Sequence, residues 1–172
     1  DFLKNYPDIQ IIKSVSGEWN WDKTREVMQQ IVGSPLTFDL IFAHNDVMAR
    51  EAFNVMNELG TRHGKFILGV DGLAGDEGGI QYVIDKKLNA TFLYPTGGET
   101  AIQIANKILT NQTFEKENIL PTMVIDSTNA PILKVQTNQV ELLHQKIENQ
   151  KSILDIQISK NQTQRLILIF LI

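Results

Sequence analysis

The sequence predicts an α/β fold in which a parallel sheet carries helices on both faces and a long C-terminal helix follows. Three observations carry that prediction. Apolar runs of strand length at 38–43 and 66–70 lack the polar alternation of a one-sided strand, as strands buried on both faces do. Amphipathic stretches of helical period separate the runs, so strand and helix alternate as in βαβ units with right-handed crossovers. From 134 to 165 the chain contains neither proline nor glycine and is rich in Gln, Asn, Lys, Leu and Ile, which favours one long helix.

Taken in order, 2–6 reads as the tail of a helix that stops before Pro7, because the residue before a proline is pushed out of the α region. Residues 9–15, with Ile9, Ile11, Ile12 and Val15, read as a strand, and 16–23 as a polar turn holding both tryptophans, Trp19 and Trp21. A helix over 24–32 carries Val27, Met28, Ile31 and Val32 on one stripe and ends at Gly33-Ser34-Pro35. The strand at 38–43 stops at His44-Asn45-Asp46. Asp46 reads as the N-cap of a helix that runs to Gly60, and the strand at 66–70 stops at Asp71-Gly72. A short helix at 80–87 leads to a strand at 88–94, which Pro95 ends. The helix at 99–109 is expected to turn Ala101, Ile102, Ile104, Ala105, Ile108 and Leu109 inward. Residues 110–118 form a polar loop and 119–126 an extended segment.

Composition narrows the function classes. With 172 residues, 42% of them hydrophobic, the chain is long enough for one sizeable core. A net charge of −4 offers no basic footprint for nucleic acid. There is no cysteine, which excludes disulfides, thiolate catalysis and Cys-ligated zinc. His44, His63 and His144 fall on different elements without metal-ligand spacing, and no G-x-S-x-G elbow occurs. The glycine-rich stretch 72–79 lacks the Lys-Ser/Thr of a P-loop and reads as a turn or hinge, so no cofactor is expected.

The chemistry concentrates at strand ends, the edge where open α/β sheets place ligands. Asn45 and Asp71 close neighbouring strands and are expected side by side. A carboxylate accepts from two adjacent hydroxyls, and an amide donates and accepts at once, which suits a vicinal diol; capping and turn formation are the other roles for these residue types. Trp19 lies at the end of the first expected strand, where an indole face can stack on sugar C–H groups or simply cover the next helix.

The motifs A-H-N-D-x-M-A, ending at Ala49, and G-V-D-G, ending at Gly72, resemble the C-terminal lobe of the type 1 periplasmic sugar-binding proteins of the ribose-binding kind. The resemblance covers roughly 2–131. It implies one lobe of a two-lobed protein, with the N-terminal lobe upstream, and a sugar site to which Trp19, Asn45, Asp71 and Tyr94 contribute. Tyr94 stands where relatives commonly carry glutamine, and Pro95 matches their proline, so the tyrosine is a departure that bears on sugar identity. Trp21 matches a position that is often arginine.

Beyond 131 the chain continues where a free-standing binding protein would finish. Val140, Leu143, Ile147 and Leu154 keep a 3-4-7 spacing interrupted by Gln150 and Gln157, a narrow seam suited to self-association or to docking on the domain surface. The seven apolar residues at 166–172 read as the start of a membrane span that continues past Ile172, since about 20 are needed to cross, with ordinary burial of a terminal strand as the alternative. The order of 1–131 lobe, 132–165 juxtamembrane helix and 166–172 apolar start resembles the periplasmic sensor region of hybrid two-component histidine kinases of Bacteroides-type bacteria. That resemblance implies a non-enzymatic sugar sensor on the periplasmic side of the inner membrane, homodimeric through the helix. A sugar-transporter binding protein and the effector domain of a sugar-responsive repressor are the alternatives.

Overall fold

A computed structural model of the chain describes the backbone of residues 2–170 and the side chains of 3–162. The run at 166–172, expected to open a membrane span, lies outside the residues so described, and among the described residues no helix is long and apolar enough to cross a membrane. Contacts divide the chain into two compact units, Asp1–Pro131 and Ile132–Ile172.

In the first unit a single 3-10 turn at Phe2–Asn5 precedes α1 (Trp21–Val32), β1 (Leu40–Phe42), α2 (Asp46–Glu58), β2 (Phe66–Asp71), α3 (Gly79–Ile84), β3 (Ala90–Leu93), α4 (Gly98–Leu109) and β4 (Val124–Asp126). Among the described residues the strands form one sheet in the order β1-β2-β3-β4, flanked by helices. β1, β2 and β3 run parallel, with Leu40 opposite Phe66 and Leu68 opposite Ala90, so their C-terminal ends share an edge.

The core lies between the sheet face that carries Ile67, Gly69, Thr91 and Ile125 and the helices α2 and α3, which supply Ala49, Ala52, Val55, Met56, Ile80, Tyr82 and Val83. Each large apolar side chain buried there stabilises the fold by about 1.5–3 kcal/mol relative to exposure. α1 packs on α2, and Arg25 spans the pair, donating to Glu51 at 2.7 Å and to Glu58. Arg50 and Glu77 meet on the Tyr82 hydroxyl, at 3.2 and 2.9 Å, which fixes α3 against α2.

Four expectations need correction. The segment 9–15 is not a strand: Ile9, Ile11, Ile12 and Val15 are exposed, Ile11 at 71%. An apolar run becomes a strand only where a backbone ladder and a covered face are both present, and here neither reaches it. For the same reason β1 is not buried on both faces. Leu40 and Phe42, with Phe66 and Val124 on the same side of the sheet, are about half exposed, while Ile67 and Ile125 opposite them are sealed.

The helix α4 forms as its period predicts but does not turn its apolar stripe inward; Ile102, Ile108 and Leu109 are exposed. Periodicity shows that a helix has an apolar side, not what covers it. Finally, β4 runs antiparallel to β3, so the sheet is parallel in three strands and mixed in the fourth. The connection leaves β3 along α4 and returns through 110–123 to the edge it left, where Leu93 N donates to Met123 O at 2.9 Å.

The second unit is helical. α5 (Ala130–Phe170) extends the expected helix by several residues at each end and opens with Pro131 in its first turn, where a missing N–H costs nothing. A turn tied by Asp126, Thr128 and Asn129 feeds it: Thr128 N donates to Asp126 Oδ1 at 2.8 Å, and Asn129 Nδ2 to Val124 O at 2.8 Å. The described seam residues Val140, Leu143, Ile147 and Leu154 are all exposed.

Candidate ligand-binding site

Because β1 and β2 are parallel and in register, the segments that leave them emerge together. Ala43 N still donates to Leu68 O, at 2.9 Å, and the next residues are His44 and Asn45. One strand over, β2 ends on Asp71, paired with Leu93, and Tyr94 N donates to Asp71 O at 3.2 Å. Asn45, Asp71 and Tyr94 thus occupy consecutive positions along one edge of the sheet.

Trp19 reaches the same edge by another route. It sits in the turn that Asn20 N closes on Gly17 O, with Glu18 and Trp19 both in the left-handed region, and its ring centroid lies 6.4 Å from that of His44, the neighbour of Asn45. Trp19 is 70% exposed and Tyr94 69%, so both residues are available at the surface. Trp21 instead opens α1; the helix begins a turn earlier than its apolar stripe, because Asn20 caps it by accepting from Lys23 N at 3.1 Å.

Asn45 is half-buried and is itself the N-cap of α2: its Oδ1 accepts from Met48 N at 2.7 Å. Its Nδ2 has no hydrogen-bond partner among the described residues, so capping uses the acceptor and leaves the donor. Asp71 is half-buried as well, and burial pushes its carboxyl above the usual aspartate range. Its backbone has φ +109°, a conformation that costs a non-glycine residue about 1–3 kcal/mol and persists only where surrounding structure imposes it.

Asp46 is not the cap that the sequence predicts. It is the first residue of α2 and fully buried, and its carboxylate reaches away from its own helix. Oδ1 accepts from the Thr91 hydroxyl at 2.5 Å and Oδ2 from Leu73 N at 3.0 Å. Burial raises its carboxyl above the usual range, and the bonds from Thr91 and Leu73 oppose that rise. Gly69 and Gly79 make the room: a Cβ on either would collide with the carboxylate.

Sequence reasoning dismissed His44 as one of three scattered histidines and passed over Thr91. His44 joins Trp19 to Phe42, whose ring centroid is 5.5 Å away edge-on, and Phe42 meets Phe92 at 6.1 Å. The position of His44 between a strand and Asn45 was the available signal. Thr91 carried one only in its register, two residues before the strand end and level with Gly69. Among the described residues no group of three or more His, Cys, Asp or Glu is placed to hold a metal ion.

Comparison with known proteins agrees with this architecture. A family model described as a periplasmic binding protein domain matches residues 1–113. The chain belongs to the periplasmic binding protein domain family. Its fold is the type 1 periplasmic binding fold, and domains of this family bind ligands without turning them over.

Among solved structures, the fructose-binding periplasmic domain of a Bacteroides hybrid two-component system is 32% identical with a TM-score of 0.79, covering 86% of this chain and 49% of that one. An ABC transporter periplasmic solute-binding protein from Actinobacillus succinogenes, solved with D-allose, is 26% identical with a TM-score of 0.63, over 74% of this chain and 45% of that one. Of curated proteins, the galactofuranose-binding protein YtfQ of Escherichia coli K12 is 36% identical over 76 residues, 41% of this chain and 24% of that protein. The chain spans less than half the length of each of these periplasmic binding proteins.

Proposed function

We propose that the edge formed by Trp19, Asn45, Asp71 and Tyr94 is one wall of a sugar-binding cleft in the periplasmic sensor region of a transmembrane receptor of the hybrid two-component histidine kinase type. The other wall is the lobe that relatives carry and this chain does not span. One observation carries the reading: over 86% of its length the chain is 32% identical, with a TM-score of 0.79, to a fructose-binding sensor domain.

In this reading the indole of Trp19 packs on the apolar C–H face of the ring, and the half-buried Asp71 carboxylate accepts from adjacent hydroxyls. Asn45 donates through Nδ2, since its oxygen is held by Met48 N. The Tyr94 phenol adds a further donor. Binding shifts the closure equilibrium of the two lobes only by its differential affinity for the closed form, and α5 carries that shift towards the membrane. Two copies pair through the exposed seam of α5.

The allose-bound and galactofuranose-binding relatives favour a second reading, a solute-binding protein of a sugar transporter. The 41-residue α5 favours the sensor, because a free-standing binding protein is expected to lack so long a C-terminal helix. Calorimetry with fructose, ribose, glucose and galactose tests the shared cleft. This chain alone binds weakly or not at all, and the chain joined to its complementary lobe binds one of them; micromolar binding by the chain alone refutes the proposal.

A further inference from the structure

We propose that Asp46 and Thr91 are positioning residues that hold Asp71 in its strained backbone conformation through the two peptide N–H groups that follow it. The inference rests on the reading of Asp71 as a ligand-binding residue, but the clamp itself is a property of the buried network.

The strain comes first. Asp71 at φ +109° is followed by Gly72 at +63°, so β2 ends in two consecutive residues of positive φ, and only the second is a glycine. Left alone, an aspartate relaxes to negative φ, which would redirect both its side chain and the turn. Asp71 itself is held by its pairing with Leu93, by Tyr94 N on its carbonyl and by Asp46 N on its carboxylate, and the turn it opens is held through the next two residues. Gly72 N donates to Thr91 Oγ1 at 3.3 Å, Thr91 Oγ1 donates to Asp46 Oδ1 at 2.5 Å, and Leu73 N donates to Asp46 Oδ2 at 3.0 Å. One carboxylate thus receives both N–H groups of the turn, one directly and one through a hydroxyl that accepts and donates at once.

The anchorage is rigid at its other ends. Asp46 is fixed by the first turn of α2, adjacent to Asn45, and Thr91 by its place in β3 opposite Gly69; both are fully buried. Gly69 and Gly79 leave no slack around the carboxylate, since neither tolerates a Cβ there. The same group therefore ties the backbone of Asn45 to that of Asp71, so the spacing of the two strand-end residues is set by a side chain that touches no ligand. A simple core role would need apolar groups of the same shape, and burying a carboxylate costs several kcal/mol that such groups avoid.

The test uses Thr91→Val, Thr91→Ser and Asp46→Asn in the full chain, read by amide hydrogen exchange and by NMR titration of the Asp71 carboxyl. Thr91→Val and Asp46→Asn raise exchange at Gly72 and Leu73 by roughly tenfold or more, whereas the amides of Val55 and Ile125 keep their protection. Thr91→Ser, which restores the hydroxyl, restores the slow exchange. In Thr91→Val, which leaves the Asp46 charge in place, the Asp71 carboxyl returns towards the ordinary aspartate range as the turn relaxes. In an Asp71→Gly background, where positive φ is free of strain, Thr91→Val accelerates exchange less.

Unchanged exchange at Gly72 and Leu73 in Thr91→Val overturns the clamp. Should Asp46→Asn fail to fold, the two threonine variants decide alone. Fructose binding, measured on the chain joined to its complementary lobe, falls about tenfold in Thr91→Val; a wild-type protein that binds no sugar overturns the site while leaving the exchange result to judge the clamp.

Discussion

Replacing Asn45 separates two jobs that one side chain performs. Its Oδ1 caps α2 by accepting from Met48 N at 2.7 Å, and its Nδ2 has no hydrogen-bond partner among the described residues. Asn45→Ala removes both functions. Loss of the cap costs about 1 kcal/mol, within a range of roughly 0.5–2, which lowers the melting temperature of a domain of this size by about 2–4 °C. Asn45→Ser keeps an oxygen in capping reach and discards the amide donor, so its melting temperature stays within about 1 °C of wild type. Both variants lose the Nδ2 amide donor, whose reach the shorter serine hydroxyl does not reproduce, and a neutral hydrogen bond worth about 0.5–1.5 kcal/mol corresponds to a roughly 2- to 12-fold weaker sugar affinity. Thermal denaturation followed by circular dichroism reads the first effect, and calorimetric titration with fructose on the two-lobed protein the second. If Asn45→Ser melts as early as Asn45→Ala, the capping argument is wrong; if Asn45→Ser binds as wild type does, the donor argument is wrong.

Three further outcomes follow from the same geometry. Burial raises the carboxyls of Asp46 and Asp71, so the native state holds protons that the unfolded chain has released; their contribution to stability is fully present below the ordinary aspartate range and is lost as pH rises through the elevated values, and urea titrations of Asp46→Asn show a flatter dependence over that window. Ile67→Ala, at a fully buried strand position, costs about 2–5 kcal/mol in urea denaturation, whereas Ile119→Ala, at a position 96% exposed, stays within about 0.5 kcal/mol of wild type. For the seam, sedimentation equilibrium reports a dimer for the wild-type chain and a monomer for Leu143→Lys with Ile147→Lys; a wild-type monomer at all concentrations contradicts pairing through α5.

The candidate site was largely legible because its residues lie where apolar runs stop. Asp71 ends β2, Tyr94 follows β3 directly and Asn45 follows β1 within three residues, and a parallel register brings such ends together with no further information. Trp19 was legible as an aromatic ring in a polar turn, although the strand expected before it does not form. Asp46 was misassigned because Asp and Asn are both good caps and the sequence offers them side by side; the choice falls to Asn45 because the Asp46 carboxylate is claimed by Thr91 and Leu73, one of them 45 residues away.

By itself the sequence determined the class of fold, the order of its helices, the two sharp strand ends and the long terminal helix. All of these follow from local periods, from caps and breakers within a few residues, and from the absence of glycine and proline over a long stretch. Only the tertiary structure decided that 9–15 stays unpaired, that β4 enters antiparallel, that α4 leaves its stripe exposed and that two glycines make space for a buried carboxylate. Those outcomes depend on which groups meet across tens of residues of chain, where hydrogen-bond pairing and excluded volume, and not periodicity, select the arrangement.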